Sequence, residues 1–204
     1  MATSQEVLQH ITGHTGGTPL QLNWQAHFTP VQHPRTPGRS AFTSATFNIN
    51  LTPPSRPDPD GNFRFHNVHI TVNMSRGASW SVTSQQSAAL LNHEQGHYNI
   101  TWLVMRELCR QLLEDQWDQA VLGATNSGAP RQVRGRFTQD FNRLSQTAGA
   151  EVDRLNRLYD QQTNHGLNAP QQAQWDALFR YVIQNPDSDM TTLLMISGGT
   201  PSGF

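Results

Sequence analysis

Two periodicities divide the chain. From Leu20 onward, Leu20, Leu22, Trp24 and Ala26 alternate with Gln21, Asn23 and Gln25, the two-residue period of a half-buried strand. Phe42 to Leu51 and Phe63 to Met74 read as second and third strands, and Trp80 with Val82 as a short fourth. Between them, Gln32 to Arg39 and Pro53 to Gly61 carry the Pro and Gly content of loops. After Ser87 the spacing lengthens to three and four residues. Ala88, Leu91, Ile100, Leu103, Val104 and Leu108 predict one helix from about Ser87 to Val121. Gly123 to Pro130 breaks that pattern, and Val133, Phe137, Phe141, Leu144, Ala148, Val152, Leu155 and Leu158 resume it over Gln132 to Thr163. A shorter helix is expected over Gln171 to Ile183, with Trp175, Leu178, Phe179 and Val182 on its apolar side and Pro186 beyond its end.

The fold class that follows is α+β: a small, mainly antiparallel N-terminal sheet, then a long helical hairpin. Residues 1–18, with Gly13, Gly16 and Gly17, read as a flexible lead-in; 19–185 form one domain; 186–204, closing on Gly198, Gly199, Pro201 and Gly203, form a loosely held tail. Two long helices joined by a short break pack antiparallel. The end of the second therefore returns to the beginning of the first.

That beginning carries the chemistry. His93-Glu94-Gln95-Gly96-His97 fits H-E-x-x-H, in which two imidazoles one helical turn apart reach one metal ion. Glu94 is the candidate general base, able to hold and deprotonate a water without being a ligand. One Zn2+ per chain is expected, because zinc takes neutral imidazole nitrogen and a catalytic site keeps a position open. Gly96 costs ~1 kcal/mol relative to Ala inside a helix, which suggests that a closely packed neighbour needs the space.

Asn164-His165-Gly166 ends the second long helix with a glycine stop signal, at the end of the hairpin nearest the motif. His165 is accordingly the candidate third ligand, with Asp160 and Glu151 as rivals. Tyr159 is a candidate donor to the oxyanion of a peptide carbonyl, or a core tyrosine. His66 and His69, three apart on a strand, point to opposite faces and are not expected to share a metal. His10 and His14 read as ordinary solvated histidines.

The stretch Leu90 to Tyr98, preceded by Ser79-Trp80, and the block Tyr159-Asp160-Gln161-Gln162-Thr163-Asn164-His165-Gly166 resemble a bacterial family of predicted secreted zinc-dependent proteases, domain-of-unknown-function family 922. Leu22-Asn23-Trp24 followed by Phe28 is similar to its opening strand, so the resemblance spans about residues 20–175. It implies a zincin-like metallopeptidase with His93 and His97 as ligands, Glu94 as base and His165 as third ligand. Two positions depart from the family pattern: Asn99 stands where an acidic residue is usual, and Trp102 where Glu is frequent. An acidic partner there would orient a ligand histidine. The departures keep a second reading in view, a zinc-binding module with weakened or lost catalysis that acts in protein–protein interaction.

Composition narrows the partners. With a net charge of −1 and no block of like charges, nothing points to nucleic acid, and no apolar run is long enough for a membrane span. All fourteen basic residues are Arg, as a GC-rich genome would produce. The lone Cys109 falls on the apolar side of the motif helix and reads as core. The N-terminus lacks signal-peptide character, so a secreted location, implied by the resemblance, and a cytoplasmic one both stay open. The expected partner is a peptide or protein substrate, lying extended along the strand that ends near Met74, with Ala78, Ser79 and Trp80 bordering the cleft.

Overall fold

The computed structural model describes residues 1–118 and 129–201. Helix α1, Ser4–Gln9, begins at Thr3, whose hydroxyl accepts the Glu6 N–H. Its Val7 and the following Ile11 are buried against the core. A small hairpin, β1 (His14–Thr15) and β2 (Thr18–Pro19), turns on Gly16 and Gly17, both at positive φ. His10 and His14 are spent on the backbone, to the carbonyls of Val68 and of Leu8 and Ile11. The first eighteen residues are thus a packed part of the domain rather than a lead-in. One buried residue on a short helix and one just beyond it left too brief a pattern to read.

The alternation from Leu20 to Ala26 does not become a strand. Asn23 accepts the Ala26 N–H through its side chain and starts a single turn, α2 (Trp24–His27). A capping side chain outcompetes the extended backbone there. Then come β3 (Thr29–Val31), β4 (Ala41–Phe42), β5 (Ala45–Thr52), β6 (Asn62–Arg64), β7 (His66–Met74) and β8 (Trp80–Val82). The long pair is β5–β7, antiparallel from Ala45 opposite Met74 to Thr52 opposite His66. Val68, Ile70 and Val72 bury one face of β7, as the two-residue period requires. In a second sheet β8 is central, parallel to β3 and antiparallel to β4. The sheets are small and mainly antiparallel, as expected, with this one parallel pairing.

Helix α3, Ala88–Glu114, starts at Ser87, whose side chain accepts the Leu90 N–H, and stops at Asp115. It ends earlier than its periodicity suggested because the chain leaves it for β9 (Gln116–Asp118), which pairs antiparallel with β6. The break expected over Gly123 to Pro130 lies mostly outside the described residues. Helix α4 is Ala129–Thr163 and α5 is Ala169–Gln184, begun by Asn168. The hairpin is antiparallel: His93 meets Tyr159 and Asp160, His97 meets Asn156, and Val104 and Leu108 lie across from Leu144 and Ala148. Arg106, buried in α3, donates to the carbonyls of Val182 and Ser188 and fixes the end of α5. Helix α6, Met190–Ile196, is started by Asp189 and buries Met190 and Leu194, so much of the expected loose tail is part of the core. Cys109 is buried in that core, and burial pushes its thiol up to about 12. Among the described residues no helix is long and apolar enough to cross a membrane.

One glycine sets the distance between the long helices. A Cβ on Gly96 would run into the hydroxyl and ring of Tyr159. Gly135 and Gly149, on α4, face open space. Gly96→Ala is therefore expected to destabilise the protein by about 1–3 kcal/mol through overpacking, despite the better helix propensity of alanine. Gly135→Ala and Gly149→Ala should stabilise it by about 0.5–1 kcal/mol. Urea unfolding of the three variants beside wild type measures both signs.

Candidate metal centre

A spacing of four residues, about one helical turn, on α3 and on α4 brings two pairs face to face. His93 and His97 stand one turn apart on α3; Asn156 and Asp160 stand one turn apart on α4 and run the opposite way. The Asp160 Oδ1 atom lies 3.2 Å from His93 Nε2 and 3.1 Å from His97 Nε2. These three side chains offer donor atoms within 4.8 Å of one another and could hold a metal ion.

The other nitrogen of each ring is already committed. His93 Nδ1 donates to Gln172 Oε1 at 3.2 Å, and His97 Nδ1 donates to Asn156 Oδ1 at 2.7 Å. The orientation of the Gln172 amide follows from its nitrogen, which donates to Asp176 Oδ1 and to the Tyr159 hydroxyl. With Nδ1–H on both rings, each neutral imidazole presents an Nε2 lone pair to a carboxylate oxygen. Three lone-pair donors converging at this distance repel unless a cation, metal or proton, sits among them. In the metal-free protein the proton takes that part. Burial opposes a charge on His97, but the Asp160 hydrogen bond and the charges of Glu94 and Asp160 outweigh it and raise its pKa. Burial likewise favours protonated Asp160, yet hydrogen bonds from His93 and His97 and the charges of His97 and His165 hold its carboxyl far below the usual carboxylate range.

Every position of the five-residue motif has a separate task. Glu94 is buried, lines the same cleft as the two histidines and does not join their cluster; Thr43, between β4 and β5, donates to its Oε2 at 2.6 Å. Gln95 reaches the other way, accepting from Leu22 N and donating to Leu20 O and Asn99 Oδ1. Gly96 makes room for Tyr159. Asn99 and Trp102, the two departures from the family pattern, tie α3 to the N-terminal segment: Trp102 Nε1 donates to Thr12 O, and Asn99 holds Gln95. Neither holds a motif imidazole. Asn156 and Gln172 orient the rings instead.

Three expected roles change. The donor that meets both histidines is Asp160, one of the named rivals, rather than His165. Asn164 and His165 both lie at positive φ, 49° and 54°, so the chain has left the helix before His165. Its ring stands half-exposed at the rim and reaches the cluster only through Asp160, with Nδ1 3.2 Å from Oδ1. Glu151, the other rival, pairs with Arg154 and Thr191 away from the site. Tyr159 is fully buried: its ring stacks on His93 with centroids 4.8 Å apart, and its hydroxyl donates to the His93 carbonyl while accepting from Gln172. Burial pushes its pKa up, and the hydroxyl is a packing and orienting group, with no route to an oxyanion in the cleft. The Met74 end of β7 is not beside the site either, because Ala45 pairs with it and Ser79 and Trp80 are buried. The segment that borders the cleft is Gly38 to Ala45, which includes β4 and the loop before it.

The cleft has two halves. One, of about 220 Å³, is lined by His93, Glu94, Asp160 and His165 together with small residues such as Gly38 and Ala41. The other, of about 310 Å³, runs past Phe42, Thr43 and Ala45 on one wall and Val152, Asn156 and Arg157 on the other. Arg39, His97 and Asp160 belong to both. Sequence reasoning named Asp160 as a rival ligand but missed Asn156, which its spacing of four from Asp160 on the returning helix could have found; for Gln172, on α5, the sequence carries no signal.

The metal-free protein should show the paired charges in its pH dependence. The lowered Asp160 pKa adds stability above the unfolded carboxyl value, lost as pH falls through the folded one. The raised His97 pKa adds stability below the unfolded imidazole value, lost as pH rises through the folded one. The difference in urea midpoint between chelator-treated wild type and Asp160→Asn is therefore expected to be largest between about pH 4 and pH 6.5 and to shrink at higher pH.

Compared with known proteins, the chain matches no family model, no curated protein and no solved structure.

Proposed function

We propose that the protein is a zinc-dependent metallopeptidase of the kind its motif blocks resemble. The observation that carries this reading is the set of two Nε2 lone pairs and a carboxylate oxygen aimed at one point, with Glu94 in the same cleft and outside that set. A structural metal needs no such carboxylate. Two imidazole nitrogens and a carboxylate oxygen, three protein donors beside an open cleft, suit catalytic zinc. His93, His97 and Asp160 would hold it. When bound, zinc lowers the pKa of its water towards neutrality and polarises the substrate carbonyl.

The chain's own residues then handle the protons and the substrate. Glu94, steadied by Thr43, accepts the proton as the water oxygen attacks the carbonyl carbon, and returns it to the leaving nitrogen as the C–N bond breaks. Asn156 and Gln172 keep the rings in the tautomer that leaves Nε2 free. The cleft continues on both sides of Asp160 along Gly38 to Ala45, which supports an extended peptide as substrate, bound within its length rather than only at an end. The alternative, a zinc-binding module without turnover, drew on Asn99 and Trp102. Both have other work in this fold, and nothing specific now favours it.

Two measurements test the reading. Zinc-loaded wild type should cleave labelled casein; Glu94→Gln should keep one zinc per chain and lose at least about 10³-fold in rate. Zinc retained with no wild-type turnover on casein or on a peptide library would leave the module. By elemental mass spectrometry after matched dialysis, Asp160→Asn should lose more zinc than His165→Ala, and Asn156→Ala or Gln172→Ala should weaken zinc binding about 10–100-fold. Equal occupancy in Asp160→Asn and wild type would remove Asp160 from the site.

A further inference from the structure

With Tyr159 buried behind His93, the proposed reaction has no side-chain partner for the oxygen that gains charge when the carbonyl is attacked. Of the two arginines that line the cleft among the described residues, Arg157 borders one half only, whereas Arg39 borders both and lies against Asp160. The guanidinium of Arg39 lies in the loop before β4, 5.7 Å above the ring of Phe42 and 3.4 Å from Asp160 Oδ2, the oxygen turned away from the histidines. Among the described residues its side chain makes no other hydrogen bond. Arg39 lines both halves of the cleft, and about a third of its side chain is exposed.

We infer that Arg39 is a catalytic residue that binds the oxyanion. The inference rests on the peptidase reading above. As the water oxygen bonds to the carbonyl carbon, the π pair moves onto the carbonyl oxygen, which becomes an oxyanion until the C–N bond breaks and the pair returns. A guanidinium with unused N–H donors, held on one side by an aromatic face and on the other by a carboxylate, is fixed before the charge appears, and a fixed donor needs no reorganisation at that moment. With a metal bound, Asp160 would be shared between it and Arg39 and would keep the two cations apart. Arginine suits this place better than lysine: its several donors let one bond Asp160 while another faces the substrate.

The test is steady-state kinetics of zinc-loaded wild type, Arg39→Lys and Arg39→Ala on a quenched-fluorescent peptide that wild type cleaves, with zinc content of each. Inhibition by a phosphinic analogue of the same peptide completes it. Expected are a fall in kcat of about 10²–10³-fold in Arg39→Ala with a smaller one in Arg39→Lys, KM within a few-fold of wild type, and unchanged zinc. The phosphinic analogue, which mimics the tetrahedral state, should lose affinity in step with kcat/KM. Unchanged kcat would overturn the inference and leave the peptidase reading standing. So would a loss of zinc that accounts for the lost rate, which would make Arg39 a positioning residue for Asp160. A rise in KM alone, confined to peptides with an acidic residue, would make it a substrate anchor instead. Inactive zinc-loaded wild type would sink both readings together.

Discussion

The close crossing of α3 and α4 at Gly96 is the constraint on which the site depends. The Tyr159 ring occupies the place of the missing side chain and stacks under His93. That contact sets the register of the antiparallel pair. Once Tyr159 lies beneath His93, the next residue, Asp160, points between the two histidines, and Asn156, one turn earlier, faces His97. The third long helix is tied to the same spot, because Gln172 on α5 donates to the Tyr159 hydroxyl and accepts from His93. Gly166, just past α4, lies against the other side of His93, where a Cβ would meet the ring at 3.0 Å. Two glycines thus frame one imidazole, and shifting either helix by a residue would dismantle the His93–His97–Asp160 cluster rather than distort it.

The choice of amides to orient the rings follows from charge. Glu94 and Asp160 already place two carboxylates in a largely buried cleft. A further acid behind each histidine would add like charge in a medium of low dielectric, raising carboxyl pKa values and favouring doubly protonated imidazoles. Asn156 and Gln172 direct the same proton to Nδ1 without that cost. The result is a less basic ring than an acidic partner would produce. It is still held in the right tautomer, because each amide oxygen can only accept.

The long elements were legible because periodicity reports burial, and α3, α4, α5, β5 and β7 bury one face over many residues. What was misread was short or governed by a single side chain. Asn23 turns an alternating stretch into a helical turn, and Val7 with Ile11 anchors a segment whose glycines suggested disorder. Within the site, His93, Glu94 and His97 were visible because one helix supplies them at fixed spacing. The choice between Asp160 and His165 was not visible in that way. It turns on whether α4 continues through residue 165, and positive φ at Asn164 and His165 takes the second candidate off the helix. Tyr159 and Asp160 are neighbours in sequence, and which of them would pack beneath His93 and which would reach both rings depended on how α4 seats against Gly96.

Charge balance links the proposed ligand set to the inferred part of Arg39. Two neutral imidazoles and one carboxylate would leave a divalent ion with a net single positive charge, and the Glu94 carboxylate would bring the cleft near neutrality. A site built on three neutral histidines would keep the full charge of the ion for the substrate oxygen; one built with Asp160 gives part of it up. Arg39, bonded to the far oxygen of the same carboxylate, would restore a positive charge on the cleft side of that carboxylate. The oxyanion would then form between two cations that Asp160 would hold apart, and the return of the proton through Glu94 would restore the starting charge of the cleft. On this reading the carboxylate third ligand and the arginine are a single device, and neither would suffice alone.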